Sequence, residues 1–131
     1  MTALIRLSWP PQPLWPNRSN GRAWAAKEGA KLAYAAEADL AAYGQLGTLR
    51  RIDNPALKVS FHKADRGRFD LDNAYAALKP AIDAICARWG RDDSTIDDVR
   101  LMRGEPVKGG CVMIEVTEAG AAMIEHRGTI R

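Results

Sequence analysis

The chain has 131 residues, 47% hydrophobic and 27% charged, a composition that fits one small globular domain with a modest core and no second domain. Its apolar runs fall far short of the roughly 20 residues a bilayer span needs, and the opening MTALIRLSWPP lacks a signal peptide's apolar region and cleavage site, so a cytoplasmic protein is expected. A formal net charge of +3 suits a polyanionic partner without demanding one, while Cys86 and Cys111, far apart and outside any zinc spacing, read as two small buried or half-buried thiols.

Residues 2–8 alternate around Leu4, Ile5 and Leu7 and stop at Trp9-Pro10-Pro11, a short strand ended by prolines that bring no backbone donor to a ladder. The loop WPPQPLWPNRSNGR holds four prolines and sets Arg18 and Arg22 between Trp15 and Trp24. Residues 25–44 form an alanine-rich helix, with Leu32, Ala36 and Leu40 or Tyr43 on one side and Gly44 as its stop. Residues 56–62 alternate Leu57, Val59 and Phe61 against Lys58, Ser60 and His62, the pattern of a half-buried strand, and the basic loop KADRGR leads out of it. A second helix is predicted over 71–89, an extended segment over 96–103 and a strand over 110–118, with a weakly structured tail after 120. The expected fold is α+β, a single small domain of β-α-β-α-β type over residues 1–120, with a mixed sheet packed against two main helices and a tail over 121–131.

The stretch RGRFDLDNAYAALKPAID carries the chemistry. At about 100° per residue, Asp72, Ala76, Lys79 and Asp83 share one stripe of the second helix, while Leu78, Ile82, Ile85 and Trp89 form a second stripe that would bury against a sheet. Pro80 removes one intrahelical bond and predicts a kink or a restart. Asp70 and Asp72, one residue apart, leave the same side of an extended chain and can share a metal; oxygen-only ligands without histidine or cysteine select Mg²⁺ or Mn²⁺ over zinc. The alternative is that both acids cap the helix N-terminus, where negative charge meets the positive end of the dipole. Likewise Asp92 and Asp93, in RWGRDDSTI, read either as a solvated acidic turn or as further site acids.

Taken together, D-L-D-N, a helix bearing lysine and aspartate, and D-D-S-x-I after a glycine resemble the RusA family of Holliday junction resolvases, small phage and prophage endodeoxyribonucleases. The first strand ending in W-P-P, the loop NRSNGR, the arginines before Asp70 and the Val107-Lys108-Gly109-Gly110 turn before the last strand extend the likeness over most of the chain. The resemblance implies that Asp70, Asp72 and Asp93 bind Mg²⁺, with Mn²⁺ as a substitute, and that Asp83 and Asp92 support them. It also implies a homodimer on branched DNA, inside a bacterial host cell. The family's lysine commonly sits four residues after the second aspartate, where this chain has Ala76, and Lys79 is its replacement. The implied activity is metal-assisted phosphodiester hydrolysis at a four-way junction, with Lys79 neutralising the scissile phosphate. Lys79 has a plainer reading as an exposed partner of Asp83 at i, i+4.

Arg18, Arg22, Lys63, Arg66 and Arg68 form the expected phosphate-contact set, since they lie in polar loops beside the acids or the tryptophans. Neither His62 nor His126 has a nucleophile or ligand partner at useful spacing, and no phosphate-cradling glycine loop calls for ATP. Two other classes compete with the nuclease: a catalytically inactive nucleic-acid-binding dimer, and a metal-stabilised structural protein, which would not need the basic loops.

Overall fold

The computed structural model describes residues 1–16 and 24–119. Four strands form one mixed sheet in the order β1-β4-β2-β3: β1 Ala3–Ser8, β2 Pro55–His62, β3 Asp98–Arg103 and β4 Cys111–Glu118. Both β1 and β2 pair antiparallel with β4, and β2 pairs parallel with β3. Three strands therefore run one way and β4 the other. The α+β expectation holds, with a fourth strand where only an extended segment was expected.

The helices are α1 Trp24–Gly44, the single turn α2 Leu46–Leu49, and α3 Leu71–Trp89. β1 alternates buried and exposed residues along its whole length, so one sheet face is covered and the other meets solvent. On the covered side α1 lies against α3, and Ile5, Leu7, Val59, Phe61, Ile114 and Leu78 are buried between the layers. An Arg88 guanidinium on α3 clamps the Asp39 carboxylate on α1 with two bonds of 2.8 Å. As expected, Leu78, Ile82, Ile85 and Trp89 are buried and both thiols are free and buried.

The covered face of α1 is one that the sequence pattern did not single out, and the restart expected at Pro80 is absent. The inward face of α1 is Tyr34, Ala38 and Ala42, while Leu32, Leu40 and Tyr43 are 73%, 74% and 62% exposed. Small alanines let α1 approach α3 closely, which the larger leucines would prevent. The helix α3 continues through Pro80 without a restart. The carbonyl that Pro80 cannot bond belongs to Ala76, an exposed residue, so solvent can satisfy it.

Local chemistry explains both ends of α3. Asp70, with extended backbone, caps the start by accepting from the Asp72 N–H at 2.9 Å. Gly90 ends it at φ +86°, with its own N–H and that of Arg91 returning to the Cys86 carbonyl, both at 2.9 Å. Arg18, Arg22 and the 121–131 tail lie outside the described residues.

Candidate nuclease site

The strand directions decide where the site lies. Ser8 and His62 both stand opposite Cys111, so the outgoing ends of β1 and β2 flank the start of β4 at one edge of the sheet. Trp9 leaves β1 there, and the basic loop of residues 63–68 leaves β2 there and runs into Asp70. Tyr34 donates to the Ser8 carbonyl at 2.8 Å, and Ser8 donates its hydroxyl and N–H to Glu37, both at 2.6 Å, which ties this corner to α1. Gly110, at φ +74°, sits so close to Trp9 that an added Cβ would meet the Trp9 Cβ at 3.1 Å. The glycine pair before the last strand thus lets the chain pass behind the tryptophan.

Asp72, Ala76, Lys79 and Asp83 do share the outward stripe of α3. The Lys79 ammonium bonds Asp83 Oδ1 at 3.3 Å and also Asp93 Oδ2, in the short 3-10 helix Asp93–Thr95. Both acids hold its pKa up, Asp93 most strongly, to about 12. The ammonium therefore stays charged at neutral pH and cannot serve as a base. Asp92 caps the 3-10 helix, accepting from the Ser94 N–H at 3.0 Å, and that bond holds its carboxyl below the usual range.

Tyr75 sits on α3 between Asp72 and Lys79, and its phenol is pushed up by burial, so it stays a neutral hydrogen-bond donor. Burial likewise pushes the Cys86 thiol up to about 11, which leaves it no nucleophile at neutral pH. Among the described residues, no three His, Cys, Asp or Glu side chains gather into a group that could hold a metal ion. Asp93 is drawn to Lys79, while Asp70 and Asp72 sit at the head of the helix. From Asp72 to Lys79 the helix rises by about 10 Å.

Besides an open depression of about 780 Å³ among Arg68, Phe69, Asp70 and Arg103, two hollows border the acids. One is a cleft of about 500 Å³ between the β1 exit and the start of α3. Its walls are Trp9, Trp15 and Phe69, its floor reaches Asp70, and Lys63 and Arg68 reach it from the basic loop. The other, of about 380 Å³, runs beside Lys79 and Asp83 and takes Lys27 and Lys31 from α1. Lys63 is held 3.4 Å from Asp65, whose carboxylate accepts from the Gly67 N–H at 2.7 Å, so the basic loop is folded on itself. Arg66 is exposed and lines neither hollow.

Sequence reasoning missed Tyr75, Arg103, Lys27 and Lys31. Arg103 donates to the Phe69 carbonyl at 3.1 Å and lies over its ring at 5.4 Å, which braces the residue before Asp70. The i, i+3 spacing from Asp72 could have drawn attention to Tyr75; the other three reach the site only through the fold.

The chain resembles the crossover junction endodeoxyribonuclease RusA of Enterobacteria phage HK97, with 40% identity over 62 residues. The match covers 47% of this chain and 50% of the phage protein, so it spans about half the length of that curated relative. It supports a RusA-like relationship. No family model matches the chain. No helix among the described residues is long and apolar enough to cross a membrane.

Proposed function

We propose that this chain is a Mg²⁺-dependent, structure-specific DNA endonuclease that resolves Holliday junctions by metal-assisted phosphodiester hydrolysis. The observation that carries the reading is the Lys79 ammonium shared by Asp83 and Asp93, on the helix face that also bears Asp72. Acids from two separate chain segments face one cation there, beside Lys27 and Lys31, which suit a phosphate backbone. The partial likeness to a phage protein named for crossover junction cleavage points the same way.

In this reading Asp70, Asp72 and Asp93 would hold the ion, for which Mn²⁺ could substitute, with Asp83 and Asp92 in support; the three do not form one group here, so binding requires Asp93 to leave Lys79 and approach the other two. Their donor set is oxygen only, which suits a hard divalent cation. A carboxylate accepts up to about four hydrogen bonds, so the helix cap at Asp70 and the lysine bond at Asp93 leave acceptor capacity on each. When bound, the ion supplies Lewis acidity and an acidified water. With the site loaded, Asp93 would be freed from the Lys79 ammonium, and Lys79, whose side chain is 41% exposed against 36% for Asp93, would be able to turn to the scissile phosphate. Tyr75 donates to a phosphate oxygen. Lys63, Arg66 and Arg68, with Arg18 and Arg22, contact the DNA backbone. The outward leucines of α1, with Tyr43, give a homodimer an apolar face to bury, and a four-way junction offers such a dimer two symmetric scissile phosphates.

The test is incubation with a synthetic four-way junction, a flap and a linear duplex, with and without Mg²⁺, for the parent chain and Asp93→Asn. Junction cleavage that needs both the ion and Asp93 is expected; equal cutting of all three substrates, or none, overturns the reading. A nucleic-acid-binding dimer without catalysis is favoured by the engagement of Asp70 and Asp93 with protein groups, and it predicts tight junction binding without cleavage.

A further inference from the structure

The cleft beside Asp70 has aromatic walls that phosphate hydrolysis does not require. Trp9 and Trp15 stack with ring centroids 5.7 Å apart and planes 23° from parallel, and Phe69 meets Trp9 edge-on at 5.2 Å and 90°. All three are only half-buried, so ring surface faces the cleft. The walls are also held in place. The Trp15 indole N–H donates to the Pro10 carbonyl at 3.0 Å, and Arg103 braces Phe69 through both its carbonyl and its ring. Ordering the rings on binding therefore costs little.

The rest of the lining is polar in a specific way. Lys63 and Arg68 bring positive charge, and Gln12 and Asn73 bring carboxamides that both donate and accept hydrogen bonds. At about 500 Å³ the cleft falls in the range of roughly 300–1,000 Å³ that suits one small planar ligand, far too small for a duplex. Flat π-faces, a cationic rim and mixed donor–acceptor edges are what an unstacked nucleobase with its phosphate asks for. A base inside a duplex keeps both faces covered, whereas one at a branch point is cheaper to extrude.

We infer that this cleft takes a single unstacked nucleobase of the DNA, the aromatic walls holding its faces, Gln12 and Asn73 its edge, and Lys63 and Arg68 the adjoining phosphate. The inference rests on the nuclease reading and deepens it, because the captured base brings its strand to Asp70. Phe69 and Trp15 act as positioning residues.

The experiment is an abasic scan. Four-way junctions lacking one base at each nucleotide around the branch point are titrated with the parent protein and with Phe69→Leu, which keeps apolar bulk and loses the ring. One position should weaken parent binding by about 5- to 160-fold, the range of a single base–aromatic stack. That sensitivity should vanish in Phe69→Leu, whose affinity for the intact junction should already have dropped by a similar factor. Trp15→Leu provides the same comparison if Phe69→Leu does not fold. A flat scan with intact junction binding overturns the base pocket alone, as does a sensitive position that keeps its full effect in the folded variant. A parent protein that binds no junction overturns the nuclease reading and the pocket with it.

Discussion

Asp70 is assigned two jobs, helix cap and metal ligand, and two substitutions separate them. Its Oδ1 accepts from the Asp72 N–H at 2.9 Å at the first turn of α3. Replacement by alanine removes that acceptor at a cost of about 1 kcal/mol. For 131 residues the unfolding entropy is about 275 cal/mol/K, so the melting temperature should fall by about 4 °C. Asp70→Asn keeps an acceptor of equal capping rank and loses only a charge at the positive end of the helix dipole, a penalty of about 0.3–1 kcal/mol. Its melting temperature should therefore fall less. Cleavage should follow another order: both variants lose the proposed metal ligand, so both should cut a junction at least about 100-fold more slowly in single turnover, while DNA binding persists or tightens as a phosphate-repelling charge disappears. Thermal melts by circular dichroism and single-turnover gels on the same preparations give the two readings. An Asp70→Asn protein that cleaves at the parent rate would reduce Asp70 to a cap, and equal destabilisation by both substitutions would refute the cap.

Other substitutions probe the neighbouring residues. Lys79→Ala should slow single-turnover cleavage by about 100-fold, as for a charge stabiliser worth about 3 kcal/mol, with little change in junction affinity; cleavage near the parent rate would leave Lys79 a structural partner of Asp83 and Asp93. Because those acids raise the Lys79 pKa from 10.5 to about 12, any stability it adds should be fully present below pH 10.5 and fade as pH rises through about 12. Melts of the parent and Lys79→Met should thus differ by a constant amount from pH 8 to 10 and converge above, and convergence already at pH 8 would disprove the pairing. For Arg68→Ala, the slope of log binding constant against log salt should flatten by about one unit, and an unchanged slope would take Arg68 off the DNA path. Gly90→Ala forces a side chain into φ +86° and should cost about 1–2 kcal/mol, read as a melting temperature lower by about 4–7 °C.

What could be read from the chain was local. The limits of α3 follow from an aspartate cap and a glycine stop, and the strands from alternation of period two, because these signals act within a few residues. The Lys79–Asp83 pair follows from i, i+4 spacing alone. Local rules also stop short. Leu32, Leu40 and Tyr43 make an apolar stripe on α1, yet burial depends on what packs against a helix, and α3 needed the small Ala38 and Ala42 face. Pro80 breaks an isolated helix more readily than one pinned along its length by a packed core.

The DLDN and DDS motifs were visible in one dimension, but no spacing rule tells which partner each acid takes. Asp93 reaches Lys79, 14 residues away, only because the turn at Gly90 folds the chain back along α3. The cleft is a tertiary product in the same sense. Trp9, Trp15 and Phe69 come from two distant segments, and they meet because Ser8 and His62 share one partner residue on β4. Sequence by itself determined the elements, their caps and the chemical character of the acids, since each depends on near neighbours. The tertiary structure decided which face of α1 is covered, where Asp93 turns and how the aromatic rings enclose a cleft, since those depend on strand register and packing between residues far apart in the chain.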